Sequence, residues 1–232
     1  MRVFRSQVAN PPRPRRPGLR RAAAALAVLV VSAPVSEAAT AHFVLEARQP
    51  LPISAPALAL LRMGEQTILF YPGTAALLAA DGELQPIAGG QDRREFGTAY
   101  DAGFGYVLGG LAGTQPSAEV WRVGLDAAQL QWTRLASLPA PCRRPAAAVQ
   151  NGSLFVAGQA TAGAAFFLQI STANGAADRL PAPPGLAAVL SLAPQGDALY
   201  LAGRDAGGTL RFWRWKHGAW TAACPPPGEL LD

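Results

Sequence analysis

Between residues 55 and 228 the apolar positions come in short runs separated by turn residues, with no sustained 3.6-residue period. The stretch "VQNGSLFVAG" (149–158) shows the pattern at its clearest, with two apolar runs flanking Asn151-Gly152. An Asn-Gly pair between β-type runs is the strongest short-range hairpin signal, because both residues tolerate the positive φ of a type I′ turn. Asp101-Ala102-Gly103, Gln195-Gly196-Asp197 and Met63-Gly64 fill the corresponding place in other segments. The pattern predicts an all-β fold of short strands and tight turns.

The runs repeat. Four segments align: 55–90, 94–141, 142–185 and 186–228, each with four β-type runs. Gly110, Gly158 and Gly203 each close an apolar run, at separations of 48 and 45 residues. Pro139, Pro181 and Pro225 close successive segments at separations of 42 and 44. Four strands per copy with a period in the mid-forties is the signature of propeller blades. The second copy, "LGG…EVWRV…QWTRLASLPAP", resembles a kelch repeat, with Gly109-Gly110 after the second strand, Trp121 in the third, Trp132 in the fourth, then Leu135 and Pro139. The third copy keeps Ala157-Gly158, and the fourth keeps Ala202-Gly203, Trp213 and Trp220. The resemblance covers roughly residues 43–228 and implies a kelch-type β-propeller of about four recognisable blades. In such a fold the glycines let neighbouring backbones approach and the tryptophans, Trp215 among them, pack between blades.

The first 41 residues differ in kind. Seven arginines and no acid occupy residues 1–21, followed by an apolar run from Ala22 to Ala33 and small residues near Ala38–Ala41. This order predicts a secretory signal peptide and export to the periplasm or beyond a bacterial cell. The apolar run is shorter than the ~20 residues that span a bilayer, so no membrane span is expected after cleavage. Residues 42–54 read as an outer-strand-like piece, and 229–232 as a tail.

Removing the leader reverses the charge argument. The whole chain is +5, but residues 42–232 hold 13 basic and 14 acidic side chains. A nucleic-acid partner, which calls for a basic patch within the domain, is therefore not expected. Cys142 and Cys224 lie at non-equivalent places, and neither belongs to a Cys-x-x-Cys pair. An oxidising compartment permits a disulfide between them without requiring one. His42 and His217 are isolated, so no metal site is expected. No nucleophile elbow, His-Glu-x-x-His, Walker loop or dinucleotide fingerprint is present, and no cofactor is implied.

Blade geometry locates the remaining chemistry. If the four strands alternate in direction, the loops after the second and fourth strands share one face. Arg93, Arg94 and Glu95, then Arg143 and Arg144, fall in fourth-to-first connections, and Arg204 and Asp205 follow a second strand. The opposite face receives the tight turns with Glu65, Asp81, Asp101, Asp126 and Asp197. An arginine-rich mouth suits a carboxylate, which the guanidinium fork binds bidentately; solvated loop charge is the ordinary alternative. The order of leader, outer-strand-like piece and blades starting from an inner strand resembles the secreted bacterial kelch proteins related to N-acetylneuraminate epimerase. That resemblance implies a sugar mutarotase (an isomerase) in a six-bladed, cyclically permuted propeller, and this chain is shorter. The expected ligand is a small acidic carbohydrate, with Arg94 and Glu95 in the catalytic place and Arg143, Arg144, Arg204 and Asp205 binding. A non-enzymatic module that contacts another exported protein is the second reading. An open sheet edge in a four-bladed chain also predicts pairing of two chains.

Overall fold

The computed structural model describes residues 59–223 apart from residues 80, 102, 161 and 162. The leader, the piece 42–54, Cys224 and the tail 229–232 lie outside the described residues. No helix occurs among those described.

The first sheet is formed by β1 (Ala59–Met63), β2 (Gln66–Tyr71), β3 (Thr74–Leu78) and β4 (Leu84–Ile87), paired antiparallel in that order. The second segment carries seven strands: β5 (Arg93–Arg94), β6 (Gly97–Tyr100), β7 (Gly105–Leu108), β8 (Leu111–Ala112), β9 (Gln115–Pro116), β10 (Glu119–Asp126) and β11 (Gln129–Ser137). Of these β6, β7, β10 and β11 make the second four-stranded sheet, while β5, β8 and β9 form a small sheet of their own. The third sheet is β12 (Ala146–Gln150), β13 (Ser153–Gln159), β14 (Ala165–Ser171) and β15 (Ala177–Leu180). The fourth is β16 (Leu186–Gln195), β17 (Ala198–Asp205), β18 (Leu210–Lys216) and β19 (Ala219–Ala223). Four antiparallel four-stranded sheets in series, each built from one continuous segment, are propeller-type blades.

The turn chemistry explains why each segment folds on itself. Asn151 (φ 49°) and Gly152 (φ 71°) form the expected type I′ hairpin between β12 and β13. Pro72 and Gly73 (φ 72°) join β2 to β3 as a proline-led type II turn. Ala127 (φ 44°) and Ala128 (φ 61°) close β10 onto β11 with no glycine at all, a turn that the sequence pattern does not announce.

Adjacent blades stack through their inner strands, with β1 beside β6, β6 beside β12 and β12 beside β16. Three apolar cores lie between them. Leu61, Ile68 and Phe70 meet Val107 and Val123 between the first two blades. Tyr106, Leu108 and Val120 meet Val156, Phe166 and Ile170 between the second and third. Phe155 and Phe167 meet Leu199, Leu201 and Trp213 between the third and fourth. Each of these large side chains contributes about 1.5–3 kcal/mol by leaving water. No fourth apolar core joins the last blade to the first among the described residues. Leu190, the extra residue of a bulge in β16, is 54% exposed on the last blade.

The blade glycines sit where backbones touch. A Cβ on Gly109 would stand 2.5 Å from the carbonyl oxygen of Cys142, and one on Gly203 would stand 2.5 Å from that of Ala188. The tryptophans pack between blades. Trp132 meets Phe70 of the preceding blade at 6.0 Å, and Trp220 meets Phe167 of its own preceding blade at 4.9 Å.

Candidate functional site

The small sheet settles which loops share a face. Arg93 and Arg94 of β5, in the connection leading to β6, pair with Ala112 and Leu111 of β8, in the connection after β7. A second-to-third loop and a fourth-to-first loop are thus hydrogen-bonded to each other. The amide of Gly110 then donates to the carbonyl of Cys142 at 2.8 Å, which ties in the loop that leads to β12.

At this mouth Glu95, Arg143 and Arg144 come together. The Arg143 fork donates to both carboxylate oxygens of Glu95, Nε to Oε2 at 2.5 Å and Nη2 to Oε1 at 2.6 Å. Arg144 reaches the same carboxylate with Nη2 at 3.7 Å from Oε1. The hydrogen bond from Arg143, reinforced by the charges of both guanidiniums, holds the Glu95 carboxyl below the usual carboxylate range. The same hydrogen bond raises Arg143. Two guanidiniums around one carboxylate leave the cluster with an excess of one positive charge. Arg144 carries most of it into solvent, its side chain being 77% exposed.

Backbone geometry holds the cluster. Glu95 (φ 52°) and Arg144 (φ 53°) both adopt the left-handed region, and each stands two residues before an inner strand. An L-residue there costs about 1–2 kcal/mol. Arg144 also precedes Pro145, a place that favours φ near −120°.

Arg94 lies on the same connection but turns to Asp92, with Nε 3.7 Å from Oδ1 and both side chains 53% exposed. Arg204 and Asp205 belong to the last blade and shape its own β17–β18 loop. Asp205 Oδ1 accepts from the amides of Gly207 and Thr209, both at 3.0 Å, and Oδ2 accepts from Arg211 Nε at 2.9 Å. Arg204 Nη1 donates to the Gly208 carbonyl at 2.8 Å. Among the described residues no ion pair joins this loop to the Glu95 cluster.

Arg93, next to Arg94 in sequence, behaves differently. It is 5% exposed and donates to Glu119 Oε2 at 2.5 Å and to Gln91 Oε1 at 2.9 Å, with Trp121 5.5 Å from its guanidinium carbon. A buried guanidinium has to be paired, and this one staples the loop before β6 to β10. The hydrogen bond from Arg93 lowers the carboxyl of Glu119. Neither Ser117, 3.4 Å from Arg93 Nη1, nor Glu119 stands out in the sequence; only their closeness to Trp121 marks them. Cys142 is a free thiol, fully buried, and burial pushes it up.

No family model matches the chain, and no curated protein matches it. Among solved structures the chain is similar to that of YjhT, with a TM-score of 0.59 and 14% sequence identity over 76% of this chain and 67% of that one. At that identity the likeness shows the fold alone: an all-β assembly of four-stranded antiparallel sheets packed as propeller-type blades.

Proposed function

We propose that this chain is an exported propeller that binds a small carboxylate-bearing sugar at the mouth formed by Glu95, Arg143 and Arg144. The observation that carries this reading is the pair of charged residues held on left-handed backbone at equivalent places in successive blades. Such strain persists where the surrounding structure over-determines it, and it gathers at ligand sites. The resemblance of the repeats to the kelch proteins related to N-acetylneuraminate epimerase supplies the ligand class. The cluster's surplus positive charge supplies the attraction.

The ligand carboxylate docks on Arg144 and competes with Glu95 for the Arg143 fork. Once displaced, the Glu95 carboxylate loses the partner that holds its pKa down and becomes a stronger base. It then stands beside the bound sugar to take the proton of the anomeric hydroxyl while the bond from the anomeric carbon to the ring oxygen breaks and water protonates that oxygen; reclosure on the other face reverses the transfers. Arg94 adds attraction at longer range. If Glu95 keeps its fork when the ligand is bound, the mouth binds without chemistry, and contact with an acidic surface of another exported protein is the second reading. The bidentate pair favours that reading, because it leaves Glu95 a weak base.

A proton NMR time course on the full chain with freshly released α-anomer of N-acetylneuraminic acid tests the proposal. Anomer exchange faster than buffer, lost in Glu95→Gln, supports the mutarotase. Saturable binding without acceleration, weakened in Arg144→Ala, supports a binding module. No binding by a folded chain overturns the sugar reading.

A further inference from the structure

The inner strand β6 has a second end. Glu95 precedes it, and Tyr100 and Asp101 close it on the face of the tight turns, about 16 Å away at ~3.3 Å per residue. There, between the β1–β2 turn and the β6–β7 turn, Arg62, Gly64, Tyr100 and Asp101 line an open cleft of about 310 Å³. The cleft is shallow and open to solvent, a surface on which one ring can lie.

Tyr100 and Phe104 are the large exposed aromatics among the described residues, at 52% and 42%. They differ in what covers them. Phe104 carries the guanidinium of Arg122 4.8 Å from its ring centre. Tyr100 has no ring or cation stacked on it and no protein partner for its hydroxyl among the described residues. Arg62, which lines the cleft, donates with Nε to the Gly64 carbonyl at 3.1 Å, and its two terminal nitrogens have no partner among the described residues.

Asp101, beneath the cleft, is fully hydrogen-bonded. Asp101 Oδ1 accepts from the amides of Gly103 at 2.9 Å and Phe104 at 2.8 Å, while Oδ2 accepts from the Tyr106 hydroxyl at 2.7 Å. Tyr106 is 1% exposed, so its bond ties Asp101, the residue after Tyr100, to the core. The cleft thus combines an exposed aromatic ring that no other ring or cation covers with a guanidinium whose terminal nitrogens have no partner among the described residues. That pairing matches a pyranose, whose axial C–H face is apolar and whose rim presents adjacent oxygens. An aromatic ring with a polar tip serves both demands, and the fork takes two oxygens at once.

We infer that this cleft is a second ligand site, taking a pyranose ring stacked on Tyr100 with a pair of its oxygens on Arg62. The inference goes beyond the reading of the Glu95 mouth and does not depend on it, because the two sites occupy opposite ends of β6. The oxygen pair on the fork is either two neighbouring hydroxyls or a carboxylate, and the probes separate them.

The full chain is titrated with methyl β-D-glucopyranoside and, separately, with D-glucuronate, and the amide signals of Gly64, Tyr100 and Asp101 are followed by ¹H–¹⁵N NMR. Saturable shifts at millimolar sugar are expected with both probes if hydroxyls suffice, or with glucuronate alone if the fork requires a carboxylate. Tyr100→Ala should weaken binding at least tenfold and Arg62→Ala several-fold, while Arg179→Ala, on the outer strand of the third blade, should leave it unchanged. Tyr100→Phe, which keeps the ring, should retain the shifts, so a folding defect in the alanine variant does not obscure the answer. Absence of shifts with both sugars, or shifts that survive in a folded Tyr100→Ala chain, overturns the inference.

Discussion

Glu95 and Arg144 occupy the same place in successive blades, two residues before β6 and β12, and the amide of Arg144 donates to the carbonyl of Glu95 at 2.6 Å. Both are left-handed, at φ 52° and 53°, without being glycine. Their conformations and their side-chain contacts are thus set together: the backbone bond fixes the spacing of the loops, and Arg143 closes over the carboxylate that this spacing presents.

Arg144→Gly separates stability from function at this point. Glycine adopts φ near +53° at little cost, whereas arginine pays for it, and the exposed side chain returns little packing. The variant should be more stable by about 0.5–1 kcal/mol, since part of the gain is lost to the freer unfolded chain. Its affinity for an acidic sugar at the mouth should fall. Thermal unfolding and sugar titration of the same sample check both halves; a less stable variant would show that the arginine side chain itself holds the loop.

Much of the fold was legible because a blade is a local structure. Asn151-Gly152 and Gly196-Asp197 fix their hairpins from neighbouring residues alone, and the glycines at 110, 158 and 203 mark where strands crowd. The site was legible only in part. The alternation of strand directions placed Glu95, Arg143 and Arg144 on one face, and there the structure joins them. It gave no means to see that Arg93 turns inward to Glu119 while Arg94 turns outward, because a two-residue strand in a loop has no apolar pattern to orient it. Nor did the run Arg204-Asp205 reveal that its charges would be consumed by its own loop, through amides whose positions depend on the loop's closure. No sequence signal marks Tyr100 for a related reason: as the last residue of a short inner strand, its exposure depends on how the adjacent turns sit.

Two tryptophans act as equivalent locks between blades. Trp132 Nε1 donates to the carbonyl of Gly89 at 2.7 Å, and Trp220 Nε1 donates to that of Pro181 at 2.8 Å. Each acceptor lies just beyond the outer strand of the preceding blade. Trp132→Phe and Trp220→Phe should each cost about 1 kcal/mol for the lost hydrogen bond, beyond the smaller ring's reduced packing. Trp→Ala at either place should cost about 3–5 kcal/mol. Urea unfolding of the four variants checks this; a phenylalanine variant as damaging as the alanine one would make the bond, not the ring, the main contributor.

Acid stability should depend on Glu119. Its carboxyl is lowered from the ordinary value of 4.5, first by the hydrogen bond from Arg93 and then by that from Trp121. A carboxyl lowered on folding contributes stability that is present above its unfolded pKa and is lost as the pH falls through its folded pKa. Unfolding free energy should therefore decline as the pH is taken below 4.5. Glu119→Gln should be less stable at neutral pH by about 1–3 kcal/mol, because Arg93 stays buried without its counter-charge. It should also show a shallower loss in acid, and denaturant melts at several pH values test that slope. Parallel slopes for wild type and variant would assign the acid sensitivity to other carboxyls, such as Asp197, which Lys216 lowers.

Two glycines in equivalent hairpin blades should respond to substitution in opposite order. Gly152 has φ 71° with nothing within 4 Å of where a Cβ would stand, so only its backbone conformation resists a side chain. Asparagine tolerates that conformation better than alanine does. Gly152→Asn should therefore cost less than Gly152→Ala, which should lose about 1 kcal/mol. Gly203 has no such demand on φ, but its Cβ would stand 2.5 Å from the carbonyl oxygen of Ala188 and 3.2 Å from the Trp213 ring. There every added atom worsens the clash, so Gly203→Ala should cost about 1–3 kcal/mol and Gly203→Asn more. Chemical denaturation of the four variants gives the comparison. If asparagine proved milder than alanine at both positions, backbone conformation rather than close approach would explain the glycine within the second strand of the blade.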